Sequence, residues 1–206
     1  MPDSTSIWTD MPKTSPSGLY ARPYIALLIV SFFSSFLSSP LYALLPVYVE
    51  ADLLRSPLFS AGLRALFLIL GGLFAFPAGR LSDDWGVKRI TVIGTVGPIF
   101  AGIIFLTGHP LLLSALCIGI GISFGFNSAG GQSYLLGAVS PAILGTASAG
   151  YFLGNTLGTA SGNLLAGPIA DTMGYRTLGT VACIASAGFV AAAALILPSL
   201  PRNRKA

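Results

Sequence analysis

The 206-residue chain has little charge: Asp, Glu, Lys and Arg make up 9% of it, against about 25% in an average soluble protein. So few charged groups leave a soluble fold of this size without a surface, which excludes a soluble enzyme and a soluble nucleic-acid binder as first readings. The basic excess, 11 Lys and Arg against 7 Asp and Glu, does not bring nucleic acid back as a partner. The charges lie in short segments between apolar runs and not on one basic face. Cysteine is scarce too. Cys117 and Cys183 both fall inside apolar runs, where they read as small packing residues and not as a disulfide. The single histidine, His109, stands beside Pro110 with no Cys, Asp or Glu cluster to complete a metal site. No nucleophile and base can be paired. The sequence therefore predicts no metal, no cofactor and no enzymatic centre.

What the chain has is long runs without charge. Residues 90–170 contain no Asp, Glu, Lys or Arg, and neither do 23–49 or 177–201; residues 56–79 contain only Arg64. A helix that crosses a bilayer takes about 20 apolar residues, so 90–170 alone has room for three. Six spans are predicted, at 23–47, 57–79, 90–108, 111–134, 141–168 and 177–198. Backbone in lipid must satisfy its own hydrogen bonds, which makes these spans helices. Barrel strands would alternate polar and apolar residues over about ten positions, and these runs do not alternate. Residues 1–22 are polar and rich in Ser and Pro, and read as a disordered cytoplasmic leader. The apolar run that follows is too long for a signal peptide and is read as a retained span. Residues 199–206 form a basic tail.

Lys and Arg orient the spans. With the N-terminus inside, Lys13, Arg22, Arg80, Lys88, Arg89, Arg202, Arg204 and Lys205 are cytoplasmic, and Arg55 and Arg176 lie outside. This distribution follows the positive-inside rule with both termini cytoplasmic, in an integral protein of a plasma or inner membrane.

Polar side chains inside spans are costly and tend to face a cavity or a partner. Arg64 is the one formal charge inside a span. It is a candidate to bind an anionic group, to pair with Glu50 or Asp52, or to snorkel to the outer interface. Ser31, Ser34, Ser35, Ser38 and Tyr42 recur at helical spacing in the first span, where Pro40 can bend the helix. Asn127, Gln132 and Tyr134 lie in the fourth span, and Asn155 and Asn163 in the fifth. Gly150, Gly154, Gly158 and Gly162 recur every four residues in the fifth span, making a small-residue face that lets another helix approach closely. That helix belongs either to this unit or to a second one.

The chain also repeats itself. Gly79, Asp83, Gly86 and Lys88 of 79–88 (GRLSDDWGVK) correspond to Gly167, Asp171, Gly174 and Arg176 of 167–176 (GPIADTMGYR), each shifted by 88 positions. The same shift carries the first span onto the fourth and the third onto the sixth. The chain thus reads as two three-helix units, 23–108 and 109–198. An odd number of crossings inverts the second unit, a pattern of secondary transporters.

The segment Gly79-Arg80-Leu81-Ser82-Asp83-Asp84-Trp85-Gly86-Val87-Lys88-Arg89 resembles the signature loop of the major facilitator superfamily, G-x-L-a-D-r-x-G-r-k. Gly79, Leu81, Asp83, Gly86 and Lys88 match; Asp84 and Val87 stand where the family usually has basic residues, and Arg89 replaces part of that charge. The resemblance implies an all-α membrane protein with six transmembrane helices as two inverted repeats, half of a major facilitator fold. It implies that the loop, with Asp83 as its principal gating residue, latches one half against the other. It also places the first and fourth helices around a central cavity. Ser34, Ser38, Tyr42, Asn127 and Gln132, with Arg64, then become the substrate-path candidates. No Asp or Glu lies in any span, so proton coupling finds no support in this chain. The expected partners are the lipid bilayer, a small-molecule substrate and a second six-helix half, either another copy or another chain. The alternatives are a non-transporting membrane interaction subunit and a fragment of a twelve-helix carrier.

Overall fold

The computed structural model describes residues 18–19 and 21–200, and all regular structure among them is helical. Most of the predicted leader and tail, including Lys13, Arg202, Arg204 and Lys205, lies outside the described residues. The helices are α1 (Arg22–Val47), α2 (Pro57–Trp85), α3 (Val87–Gly94), α4 (Gly97–Ile104), α5 (Pro110–Ala138) and α6 (Leu144–Ile196). Five stretches are long and apolar enough to cross a membrane, with α3 and α4 together making one of them.

Helix ends follow backbone chemistry more than hydropathy. Proline starts α2 and α5, where its missing N–H is harmless, and the Ser56 side chain accepts from the Phe59 N–H at 3.3 Å to cap α2. The α1 helix contains Pro40 and Pro46 and passes into a π-helical turn, Tyr48–Asp52, closed by the Leu53 N–H donating to the Tyr48 carbonyl at 3.0 Å.

Three predicted boundaries are corrected. The second span was placed at 57–79, but α2 continues to Trp85. The apolar run stops at Gly79, yet nothing in Arg80–Trp85 breaks a helix, so the backbone turns only at Gly86. The third span was placed at 90–108, but it is two short helices joined at Thr95–Val96. Pro98 cannot donate to the Gly94 carbonyl, and the Thr95 and Val96 N–H groups bond three residues back, to Val92 and Ile93. The loop between 168 and 177 is replaced by one residue: α6 is interrupted at Gly174, with φ 79° and ψ 162°.

That interruption reverses the chain. A straight helix from Ala147 to Leu197 would separate them by about 75 Å at 1.5 Å per residue. Both instead belong to one apolar cluster with Tyr24, Leu27, Tyr134 and Leu135. The opposite end of the bundle is closed by the rings of Tyr48, Phe105 and Tyr175, with centroids 5.0 to 5.9 Å apart. There the Tyr48 hydroxyl donates to the Thr107 carbonyl at 3.0 Å.

Candidate functional site

The polar residues of α1 divide between two neighbours. Ser34, Ser38 and Tyr42, one turn apart in sequence, line a cavity together with Asn127 of α5 and with Gly94, Gly97 and Pro98 at the α3–α4 break. The Asn127 amide donates to Ser34 Oγ at a long 3.5 Å. On the neighbouring face, Ser35 Oγ donates to Asn155 Oδ1 of α6 at 2.7 Å, and the Asn155 amide donates to the Tyr151 carbonyl at 3.0 Å. Four of the six substrate-path candidates are therefore gathered at one niche. The other two are elsewhere: Gln132 is exposed on α5, and Arg64 is exposed on α2.

The cavity measures about 20 Å³. One water needs roughly 10–15 Å³ on this measure, so the niche has room for about one water and none for a solute. Its α3–α4 wall is made by Gly94, Gly97 and Pro98 at the break between the two short helices, where a straight third span was expected.

Arg64 lies seven residues into α2, roughly 10 Å along the axis. Arginine at the centre of a membrane helix costs about 2.5–3.5 kcal/mol, so its side chain must reach water, a surface or an anion. The side chain is exposed on α2. Tyr42 packs on Phe67, three residues beyond Arg64, at 5.7 Å between ring centroids. Glu50, one of the two suggested partners, accepts instead from Ser60 Oγ.

The signature segment is mostly helical. Gly79, Leu81 and Asp83 lie on the last turns of α2, with Asp83 exposed. The Arg80 guanidinium rests 4.7 Å from the centroid of Phe76. Lys88 and Arg89 begin α3, and Arg89 is exposed. Only Gly86 turns the chain, at φ 90° and ψ 139°. Gly79 has nothing within 4 Å of where a Cβ would lie and lies in the helix, so the chain does not turn there. The second segment behaves the same way: Gly167 and Asp171 are helical, Gly174 turns, and Arg176 follows exposed. Gly86 and Gly174, 88 positions apart, are the two glycines with positive φ among the described residues.

The glycine row of α6 faces α1. A Cβ on Gly158 would strike the Phe32 carbonyl, one on Gly162 the Phe36 carbonyl and Ser39 Oγ, and one on Gly150 the Tyr24 hydroxyl. Gly150, Gly158 and Gly162 are thus packed against α1 within this chain.

No curated protein matches the chain. A family profile described as Major Facilitator Superfamily matches residues 27–206, which takes in every helix described above apart from the first residues of α1. With apolar helices able to cross a membrane and the signature residues meeting at a left-handed glycine, the chain belongs to the Major Facilitator Superfamily.

Proposed function

We propose that the chain carries a small solute across a membrane by alternating access, as a half-size major facilitator-like unit that works with a second six-helix half, a copy of itself or another chain. The observation that carries this reading is the matched pair Gly86 and Gly174. Each reverses the chain through one positive-φ residue after a long helix, 88 positions apart. This supports six crossings arranged as two inverted units, 23–108 and 109–198, the arrangement on which alternating access is built. A cavity with room for one water supports the need for a second half, because a solute site has to be completed by facing helices. In this reading Gly79, Leu81, Asp83, Gly86, Lys88 and Arg89 form the latch between halves, and Gly167, Asp171, Gly174 and Arg176 its counterpart on the other side. Ser34, Ser38, Tyr42, Asn127, Gln132 and Arg64 line or border the path.

The test is reconstitution. In nanodiscs the full chain should have the mass of a pair, by itself or with its partner chain, and in liposomes it should give saturable counterflow. A monomer without flux for any solute refutes the pairing of this chain as a carrier and favours an interaction subunit or a fragment of a twelve-helix carrier.

A further inference from the structure

We infer that the niche at the α3–α4 break is a binding site for one ordered water, which joins α1 and α5 to the interrupted backbone of the third span. This holds whether or not the chain carries a solute.

The niche measures about 20 Å³, close to the roughly 10–15 Å³ that one water needs. A cavity of that size with apolar walls stays dry, and these walls are polar on three sides. Ser34, Ser38 and Tyr42 line it from α1, Asn127 from α5, and Gly94 from the end of α3. Ser34 is 3% exposed, so its hydroxyl cannot turn to bulk solvent. Among the described residues it accepts from the Asn127 amide and donates to nothing. That bond is 3.5 Å long, beyond the usual range and at the separation where a bridging water takes over. Pro98 stands four residues after Gly94 and brings no N–H to its carbonyl, as any other residue of an unbroken helix would. A water can accept from the Asn127 amide and the Ser34 hydroxyl and donate to the Gly94 carbonyl, within the about two to four bonds that a buried water makes. Close packing keeps the break against α5. A Cβ on Gly94 would strike the Asn127 backbone, and one on Gly97 would lie 3.1 Å from Ser123 Cβ. A cation of similar size is disfavoured, because no Asp or Glu lines the niche and Asn127 turns an N–H toward it.

The test is X-ray hydroxyl-radical footprinting of the full chain in lipid nanodiscs, in which a bound water marks the buried side chains beside it. Leu41 lines the niche and is 1% exposed. Leu45, one turn further along α1, and Leu113 of α5 are as deeply buried but lie outside it. The expected result is oxidation of Leu41 at least fivefold faster than of Leu45 or Leu113. Ser34→Val and Asn127→Leu each remove a polar wall and should bring Leu41 down to the rate of Leu45. Helix melting shows which variant keeps the parent fold, and either one that does carries the comparison. Leu41 oxidised no faster than Leu45 in the parent means a dry niche and overturns the inference. So does fast oxidation of Leu41 that persists in the folded variants. Oxidation of Leu41 that sodium suppresses and potassium restores assigns the niche to a cation and also overturns it.

Discussion

Four glycines that look alike in sequence should respond in different ways to one methyl group. A Cβ on Gly158 would lie 3.1 Å from the Phe32 carbonyl carbon and 3.2 Å from its Cα, with the carbonyl oxygen nearer still. These are backbone atoms of α1 and cannot rotate away, so α1 and α6 must part. Overpacking of this kind costs about 1–3 kcal/mol, and a gap of roughly 0.5–1 Å forfeits a quarter to a half of each remaining contact along the seam. Alanine returns about 1 kcal/mol of helix propensity, leaving Gly158→Ala less stable by up to about 2 kcal/mol. At Gly154 the nearest atom would be the Leu28 carbonyl oxygen at 3.8 Å, an ordinary contact. The propensity gain then stands alone, and Gly154→Ala should be neutral or stabilised by up to about 1 kcal/mol. Two identical substitutions one helical turn apart thus differ in sign. Equilibrium unfolding in mixed detergent and SDS micelles, followed by circular dichroism, measures both. A Gly158→Ala variant as stable as the parent, or a Gly154→Ala variant that loses as much as Gly158→Ala, would refute the packing argument.

The turn glycines give a second contrast: Gly86→Ala and Gly174→Ala should each lose of order 1–3 kcal/mol from backbone strain, whereas Gly79→Ala and Gly167→Ala, in open helix, should lose nothing in the same unfolding assay. The Ser35–Asn155 bond at 2.7 Å should give a coupling of about 0.6 kcal/mol, and no more than about 1.7 kcal/mol, in a double-alanine cycle. Asp83→Asn should leave the unfolding midpoint unchanged, since Asp83 is exposed at the end of α2, yet lower flux at least tenfold, equivalent to about 1.4 kcal/mol, if the latch reading holds; unchanged flux argues against it.

The membrane class was legible in the charge-free runs, and the signature segment in its glycines and Asp83. The interior was legible only in part. Spacing put Ser31, Ser34, Ser35, Ser38 and Tyr42 on one stripe, but a stripe wider than one helix contact is shared out: Ser34, Ser38 and Tyr42 went to the α5 side and Ser35 to Asn155. The helix ends differ from the ends of the apolar runs for one physical reason. Hydropathy marks where lipid ends, and the backbone stops being helical only where a residue demands it. Arg80–Trp85 demands nothing, the backbone tightens at Thr95–Val96 just before Pro98 inside an apolar run, and Gly174 turns the chain without any polar loop.

The repeat shows why a turn announces itself in sequence when packing does not. Shifting the close pair Phe32 and Gly158 by 88 positions gives Ile120 and Leu70. In the structure a Cβ on Gly121, the next residue, would lie 2.7 Å from Leu70 Cβ and 2.8 Å from the Phe67 carbonyl oxygen. One turn on, Phe36 and Gly162 shift to Phe124 and Phe74, and a Cβ on Gly125 would lie 2.8 Å from the Phe74 carbonyl carbon. The α1–α6 and α2–α5 seams therefore occupy equivalent places in the proposed units, but the small residue has changed helices. Close approach requires a glycine on one of two facing helices and is indifferent to which. A positive φ allows no such choice, because the glycine must sit at the turning residue itself. An 88-residue comparison hence finds Gly86 with Gly174 and misses the seams, although the same packing problem is solved in both.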